Sequence, residues 1–191
     1  MAASQRSRCR GPRCRAGRSR PGGLPRLILY FLRHGDAGQR TTGPDDDTRQ
    51  LSASGRASLR AAGPLWRRIN LRPDVVISSP LPRAIQTADL LIKGIGLAFH
   101  PFADDRLLPG ASWGDLAQAM ASHGEARRVM FVGHIPDLTR AIQELTGAVS
   151  VRLRQGGVAC VEFPGIPEPG SGELAWLLDP DLYGDDPRDG G

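Results

Sequence analysis

Two histidines and two arginines in this 191-residue chain stand just beyond unbroken apolar runs. Leu27-Ile28-Leu29-Tyr30-Phe31-Leu32 stops at Arg33-His34-Gly35. Val75-Val76-Ile77-Ser78 leads through Ser79-Pro80-Leu81-Pro82 to Arg83, and Val129-Met130-Phe131-Val132 runs into Gly133-His134. A guanidinium fork stays charged at any working pH and holds phosphate oxygens bidentately. Two imidazoles framed by two such forks therefore suit a phosphoryl group. Arg33 and Arg83 would clamp its oxygens and carry the electrostatics, since unit charges 4 Å apart attract by about 4 kcal/mol at an effective dielectric near 20. Nearby guanidinium charge lowers the pKa of an imidazole, which suits His34 to act as a neutral nucleophile. His134 would donate to the pentavalent transition state. Gly35, lacking a Cβ, would let backbone N–H groups approach the phosphate.

These residues converge only if the apolar runs are neighbouring strands. A strand that is apolar on both faces belongs inside a parallel sheet, and open α/β sheets bind ligands beyond the carboxyl ends of their strands. Helical patterns over residues 52–70, 80–93, 113–122 and 136–146 alternate with the strands. The fold class is therefore α/β, a mostly parallel central sheet flanked by helices on both faces. Pro64 is expected to kink or interrupt the first helix. Residues 157–163 and 173–178 read as a hairpin at the edge of the sheet.

The ordered set of motifs resembles the histidine phosphatase superfamily (phosphoglycerate mutase-like), and within it the SixA-type phosphohistidine phosphatases. The residues that carry the resemblance are Leu29 to Ala37, then Asp46-x-x-Arg49-x-Leu51-Ser52, then Ser78-Ser79-Pro80-x-x-Arg83-Ala84-x-Gln86-Thr87-Ala88, then Val132-Gly133-His134-x-Pro136. The resemblance implies that His34 accepts the phosphoryl group transiently while Arg33, Arg83 and His134 hold its oxygens. It adds Arg49 near the pocket, with Gly35, Asp46 and Ser79 in the binding shell. The Asp45–Asp47 run reads first as a solvated loop, with an ion pair from Asp46 and Asp47 that orients Arg49 as the alternative.

One departure from the pattern bears on substrate. Relatives that cleave phosphate esters carry a glutamate as general acid in the loop before a Tyr-Gly-Asp-Leu element. The comparable stretch here runs from Arg106 to Leu116, with Pro109 about where the acid would sit. Asp104, Asp105 and Asp115 are the nearby carboxylates. A phosphoramidate leaves as a nitrogen base that is protonated before the bond breaks, so phosphohistidine needs a dedicated acid less than an ester does. The favoured function is thus a phosphatase acting on protein phosphohistidine. A phosphoester or small-molecule phosphatase of the same fold, and a phosphate-binding module without turnover, are the alternatives.

The formal net charge of +5 is misleading. Eight of the 25 basic residues precede Leu27 and none of the 20 acidic residues does, which leaves 17 against 20 in the remainder, a net of −3. No basic stripe remains to argue for nucleic acid. Residues 1–26 read as an Arg-rich disordered segment, a nucleic-acid arm, membrane-surface arm or organellar presequence being the other options. Residues 27–179 form the phosphatase domain, and 180–191 read as an acidic disordered tail. No apolar stretch is long enough to span a membrane, and the expectation is a cytoplasmic monomer. Cys160 falls in an apolar strand and reads as a buried thiol. The Cys and His spacing matches no zinc pattern, His100 and His123 read as surface groups, and transfer through His34 requires no cofactor.

Overall fold

A computed structural model describes residues 26–39 and 44–184. Four parallel strands occupy one side and the middle of a six-stranded sheet: β1 (Leu27–Arg33), β2 (Val75–Ser78), β3 (Phe102–Ala103) and β4 (Arg128–Gly133). An antiparallel hairpin, β5 (Val158–Phe163) with β6 (Glu173–Leu178), completes it in the order β3-β2-β4-β1-β5-β6. The short α1 (Pro44–Asp47) and α2 (Ala53–Arg68) follow β1, α3 (Pro82–Ile95) follows β2, and α4 (Trp113–Ala121) and α5 (Asp137–Thr146) flank β4. The hairpin and the four longer helices lie within two residues of the ranges read from the sequence, Ile95 and Arg68 at the ends of α3 and α2 included. The two-residue β3 was not foreseen.

The apolar runs are unbroken because both faces are covered. Leu29, Phe31, Val75, Ile77, Val129 and Phe131 join one core cluster with α4 and α5. Tyr30, Leu32, Val76, Met130 and Val132 join the other with α2 and α3. Successive strand residues point to opposite faces, so each alternate side chain finds a different apolar layer.

Local chemistry sets the helix ends. The Ser52 side chain caps α2 by accepting from the Gly55 N–H, and Ser112 and Asp115 form a reciprocal capping box at α4. Gly96 and Gly147, with φ of 73° and 71°, end α3 and α5 in the left-handed conformation that glycine adopts without a Cβ penalty. Contrary to expectation, α2 runs unbroken through Pro64. The proline is on the exposed side, where water can serve the Arg60 carbonyl, while Leu59, Ala62 and Trp66 are buried. That packing outweighs the roughly 3 kcal/mol cost of an interior proline. Gly63 and Gly94 let α2 and α3 approach closely: a Cβ on Gly63 would lie 3.2 Å from the Gly94 carbonyl.

The chain after β6 also departs from the expected disordered tail. Residues 180–182 form a 3₁₀ turn capped by Asp179, and the Tyr183 ring packs edge-on against Trp66 at 5.6 Å. Arg154 holds Asp179 at 2.9 Å and also pairs with Asp181. The ordered domain thus reaches at least Gly184, because one aromatic residue and two carboxylates find partners that composition alone does not reveal. The remainder of the tail and residues 1–25 lie outside the described residues. Among the described residues no helix is long and apolar enough to cross a membrane.

Candidate active site

β1, β4 and the start of α3 deliver their charged ends to one cleft of about 290 Å³. Because β4 lies between β1 and β2, Arg33 pairs in register with Gly133, and the His34 N–H donates to the Gly133 carbonyl at 3.0 Å. The two imidazole rings come to 5.2 Å between centroids. Arg33, His34, Arg83, His134, Asp46 and Arg49 all line the cleft. His34, His134 and Arg83 form its buried floor, only 8%, 5% and 3% exposed.

The His34 tautomer follows from its neighbour. Its Nδ1 lies 2.7 Å from the Gly35 carbonyl, an acceptor only, so Nδ1 carries the proton and Nε2 keeps the lone pair. Burial is the largest influence and pushes His34 down to about 4; the Gly35 hydrogen bond opposes this, and the charges of Arg83, Arg33 and Arg49 add to it. Burial therefore contributes more than the guanidinium charge to which the sequence argument assigned the shift. His134 falls to about 3, again mainly by burial, with His34 and Arg83 lowering it further and Asp46 pulling it back. Both rings are neutral at physiological pH.

Two members of the expected binding shell stand behind the cleft. The Gly35 N–H donates to Thr87 Oγ1 at 3.1 Å and is not aimed at a ligand. A Cβ there would come within 2.7 Å of Leu59 Cδ1, so any larger residue would have to push that side chain aside. Fully buried Ser79 places its Oγ 2.9 Å from His134 Nε2, which leaves Nδ1 as the nitrogen available to a ligand. Both residues act on the histidines, Gly35 through its carbonyl and Ser79 through its hydroxyl.

Asp46 is an anchor, which corrects the solvated-loop reading for that residue. Its Oδ1 holds Arg49 Nε at 2.8 Å, its Oδ2 faces Arg83 Nη2 at 3.4 Å, and its carbonyl accepts from Arg83 Nη1 at 2.6 Å. Arg49 also donates to the Ala37 and Gly38 carbonyls at 3.2 and 3.3 Å, tying α1 to the loop after β1. Arg33 is fixed by donation to the Leu153 carbonyl at 3.1 Å.

Pro109 lines the cleft, whereas Asp104, Asp105 and Asp115 do not. Asp104 is paired with Arg106 at 2.6 Å, Asp115 is consumed by the α4 capping box, and Asp105 is exposed. The carboxylates that do line the cleft are Asp46 and Asp47. Three contributors escaped the sequence reading. Thr87 Oγ1 donates to the Arg83 carbonyl at 2.7 Å while accepting from Gly35, joining α3 to the β1 loop. Buried Asp137 accepts from the Gly110 N–H at 2.8 Å and holds the Pro109 loop against α5. Gln155 lines the cleft from the loop before β5. Thr87 sits one helical turn from Arg83 and Asp137 three residues after His134, so spacing was the available signal. Gln155 had none. No group of three His, Cys, Asp or Glu among the described residues is placed to hold a metal.

Known proteins resemble this chain in sequence or in fold. A protein of Picosynechococcus sp. with no described function is 34% identical over 115 residues, covering 59% of this chain and 68% of its own. A 2,3-bisphosphoglycerate-dependent phosphoglycerate mutase of Thermobifida fusca is 35% identical over 107 residues, 51% of this chain and 42% of that protein. The fold is shared with a protein histidine phosphatase SixA solved with tungstate (TM-score 0.69, 23% identity, 81% of this chain and 98% of that one). It is also shared with a protein of Agrobacterium tumefaciens described as a phosphohistidine phosphatase SixA (TM-score 0.67, 23% identity, 80% and 97%). Residues 29–155, which contain the paired histidines and every arginine of the cleft, match the sequence family as a unit, and the chain belongs to the histidine phosphatase superfamily, branch 1.

Proposed function

We propose that this protein is a phosphatase that removes the phosphoryl group from protein phosphohistidine by way of a transient phosphohistidine at His34. His34 Nε2 attacks phosphorus, a bond forms between them, and the bond to the leaving nitrogen breaks. A leaving imidazole protonated on its other nitrogen departs neutral. Water then attacks the phosphoryl group on His34, releasing inorganic phosphate and restoring the imidazole. Arg33, Arg83 and Arg49 hold the equatorial oxygens through both steps, with His134 Nδ1 donating to the same group. The proton on His34 Nδ1 stays with the Gly35 carbonyl, so the positive charge that develops on the phosphorylated ring is hydrogen-bonded.

The observation that carries the substrate class is Pro109 in the wall of the cleft. An alkoxide must be protonated as it leaves, and a positioned acid is worth about a hundred- to ten-thousandfold. Proline has no proton to give, the Asp46 carboxylate is committed to Arg49 and Arg83, and Asp47 is an exposed carboxylate at the rim, outside the buried floor. The test is kcat/KM for a phosphohistidine peptide, an aryl phosphate and an alkyl phosphate, measured with chelator present. The expected order is that order, the aryl ester falling between because its oxyanion leaves unassisted. If the alkyl ester is turned over as fast as phosphohistidine, the general-phosphatase reading replaces this one.

A further inference from the structure

The rim of the cleft differs from its floor in chemistry. Three guanidinium groups, Arg33, Arg49 and Arg83, line the cleft against two carboxylates. Asp46 is spent between Arg49 and Arg83. Asp47 is exposed, and among the described residues no hydrogen bond or ion pair engages its carboxylate. Of the other rim residues, Pro109 is exposed, Ile135 is 40% exposed and Gln155 adds a half-buried neutral amide. A dianionic phosphoryl group is satisfied by the floor. The group behind it meets a rim with one anion, the neutral Gln155 amide and two flat or branched hydrocarbon surfaces.

We propose that Asp47 is the specificity-determining residue of the rim, selecting substrates whose leaving group carries positive charge next to a flat apolar body, as a protonated imidazole does. This deepens the phosphohistidine reading and rests on it for the identity of that leaving group. A cation close to three guanidinium groups would be repelled, and Asp47 is the cleft anion not already neutralised by them. A protonated ring seated on Pro109 and Ile135 would donate its N–H to the Asp47 carboxylate, a charge-assisted bond. Holding the ring in its protonated form also keeps the leaving nitrogen ready to depart neutral.

The experiment compares wild type and Asp47→Asn on two substrate pairs. The first is a phosphohistidine peptide against phenyl phosphate. The second is a pair of aryl phosphates differing only in a para substituent, aminomethyl (cationic) or ethyl (neutral). In Asp47→Asn the ratio of kcat/KM for the cationic over the neutral member should fall about tenfold in both pairs, the size expected of a hydrogen bond to a charged group. Asp47→Glu should recover part of it. An equal loss on every substrate would make Asp47 a structural group or a proton donor, and no change in either ratio would remove it from recognition. Both results overturn the proposal. If wild type fails on the phosphohistidine peptide while the aryl pair still responds, the phosphohistidine reading falls and the selection of cations by Asp47 stands.

Discussion

The Gly35 hydrogen bond leaves His34 with its lone pair on Nε2 in the floor of the cleft, so His34→Ala should abolish turnover and the acid-labile phosphoenzyme. A variant keeping more than a few percent of the rate would reject the assignment. Arg83→Ala should cost on the order of 3 kcal/mol, about a hundredfold in kcat/KM, because the clamp is strongest on the transition state. The pH dependence follows from the buried imidazoles. With an aryl phosphate, and with the ionisation of the substrate divided out, the acid limb of kcat/KM should fall near pH 4 and not near the ordinary 6.5. The same depression links to stability. The folded state binds fewer protons than the unfolded chain between the two pKa values. Each histidine therefore contributes stability that is full above about 6.5 and lost as pH falls through the folded value, about 4 for His34 and about 3 for His134. Urea midpoints should drop steeply from pH 7 to pH 4, and a His34→Gln, His134→Gln double variant should flatten that slope. The convergence of Arg33, His34, Arg83 and His134 on one cleft was legible because the apolar runs before them read as neighbouring strands of one parallel sheet. The roles of Gly35 and Ser79 were not, since each depends on a partner 52 or 55 residues away.

The elements meet at hydrogen bonds that secondary structure alone does not supply. Thr87, fully buried on α3, is the acceptor for the Gly35 N–H and thereby couples the helix that carries Arg83 to the loop that carries His34. Thr87→Val keeps the shape but leaves that buried N–H without a partner, a loss of about 1–3 kcal/mol. Chemical denaturation should show that loss, kcat should fall with it, and Thr87→Ser should restore both. A valine variant with wild-type stability and rate would show that another acceptor replaces the hydroxyl. Most elements were readable from the sequence because their signals are local. Ser52 and Ser112 announce helix starts, Gly96 and Gly147 announce ends, and the β5–β6 hairpin is bounded by glycine and proline. The two-residue β3, with Phe102 half exposed, has too little pattern to be seen, and the unbroken α2 shows tertiary packing overriding a breaker.

At the scale of the whole molecule, the two ends of the described chain close on the same structure. β1 begins the fold in the centre of the sheet, and the segment after β6 returns beneath the active-site loop. The Tyr183 hydroxyl donates to the Gly156 carbonyl at 2.7 Å, and the Gly156 N–H in turn donates to the Arg33 and His34 carbonyls at 3.0 and 3.2 Å. Chain order hid this connection, because a short acidic tail with one tyrosine has the composition of a solvated end, and only the sheet topology brings it under Trp66. Ending the chain at Leu178 removes the aromatic contact, the Arg154 ion pairs and the Gly156 bond together. Removal of one large packed side chain costs on the order of 3 kcal/mol, which in a domain of this size lowers Tm by about 10 °C. Tyr183→Phe keeps the ring and removes only the hydrogen bond, so its stability loss should be about 1 kcal/mol. If the bond positions the catalytic loop, kcat should fall in Tyr183→Phe by more than the fraction unfolded accounts for, while KM for an aryl phosphate stays near that of wild type. A truncated chain with unchanged Tm and kcat would return the tail to the solvated end that its composition suggests.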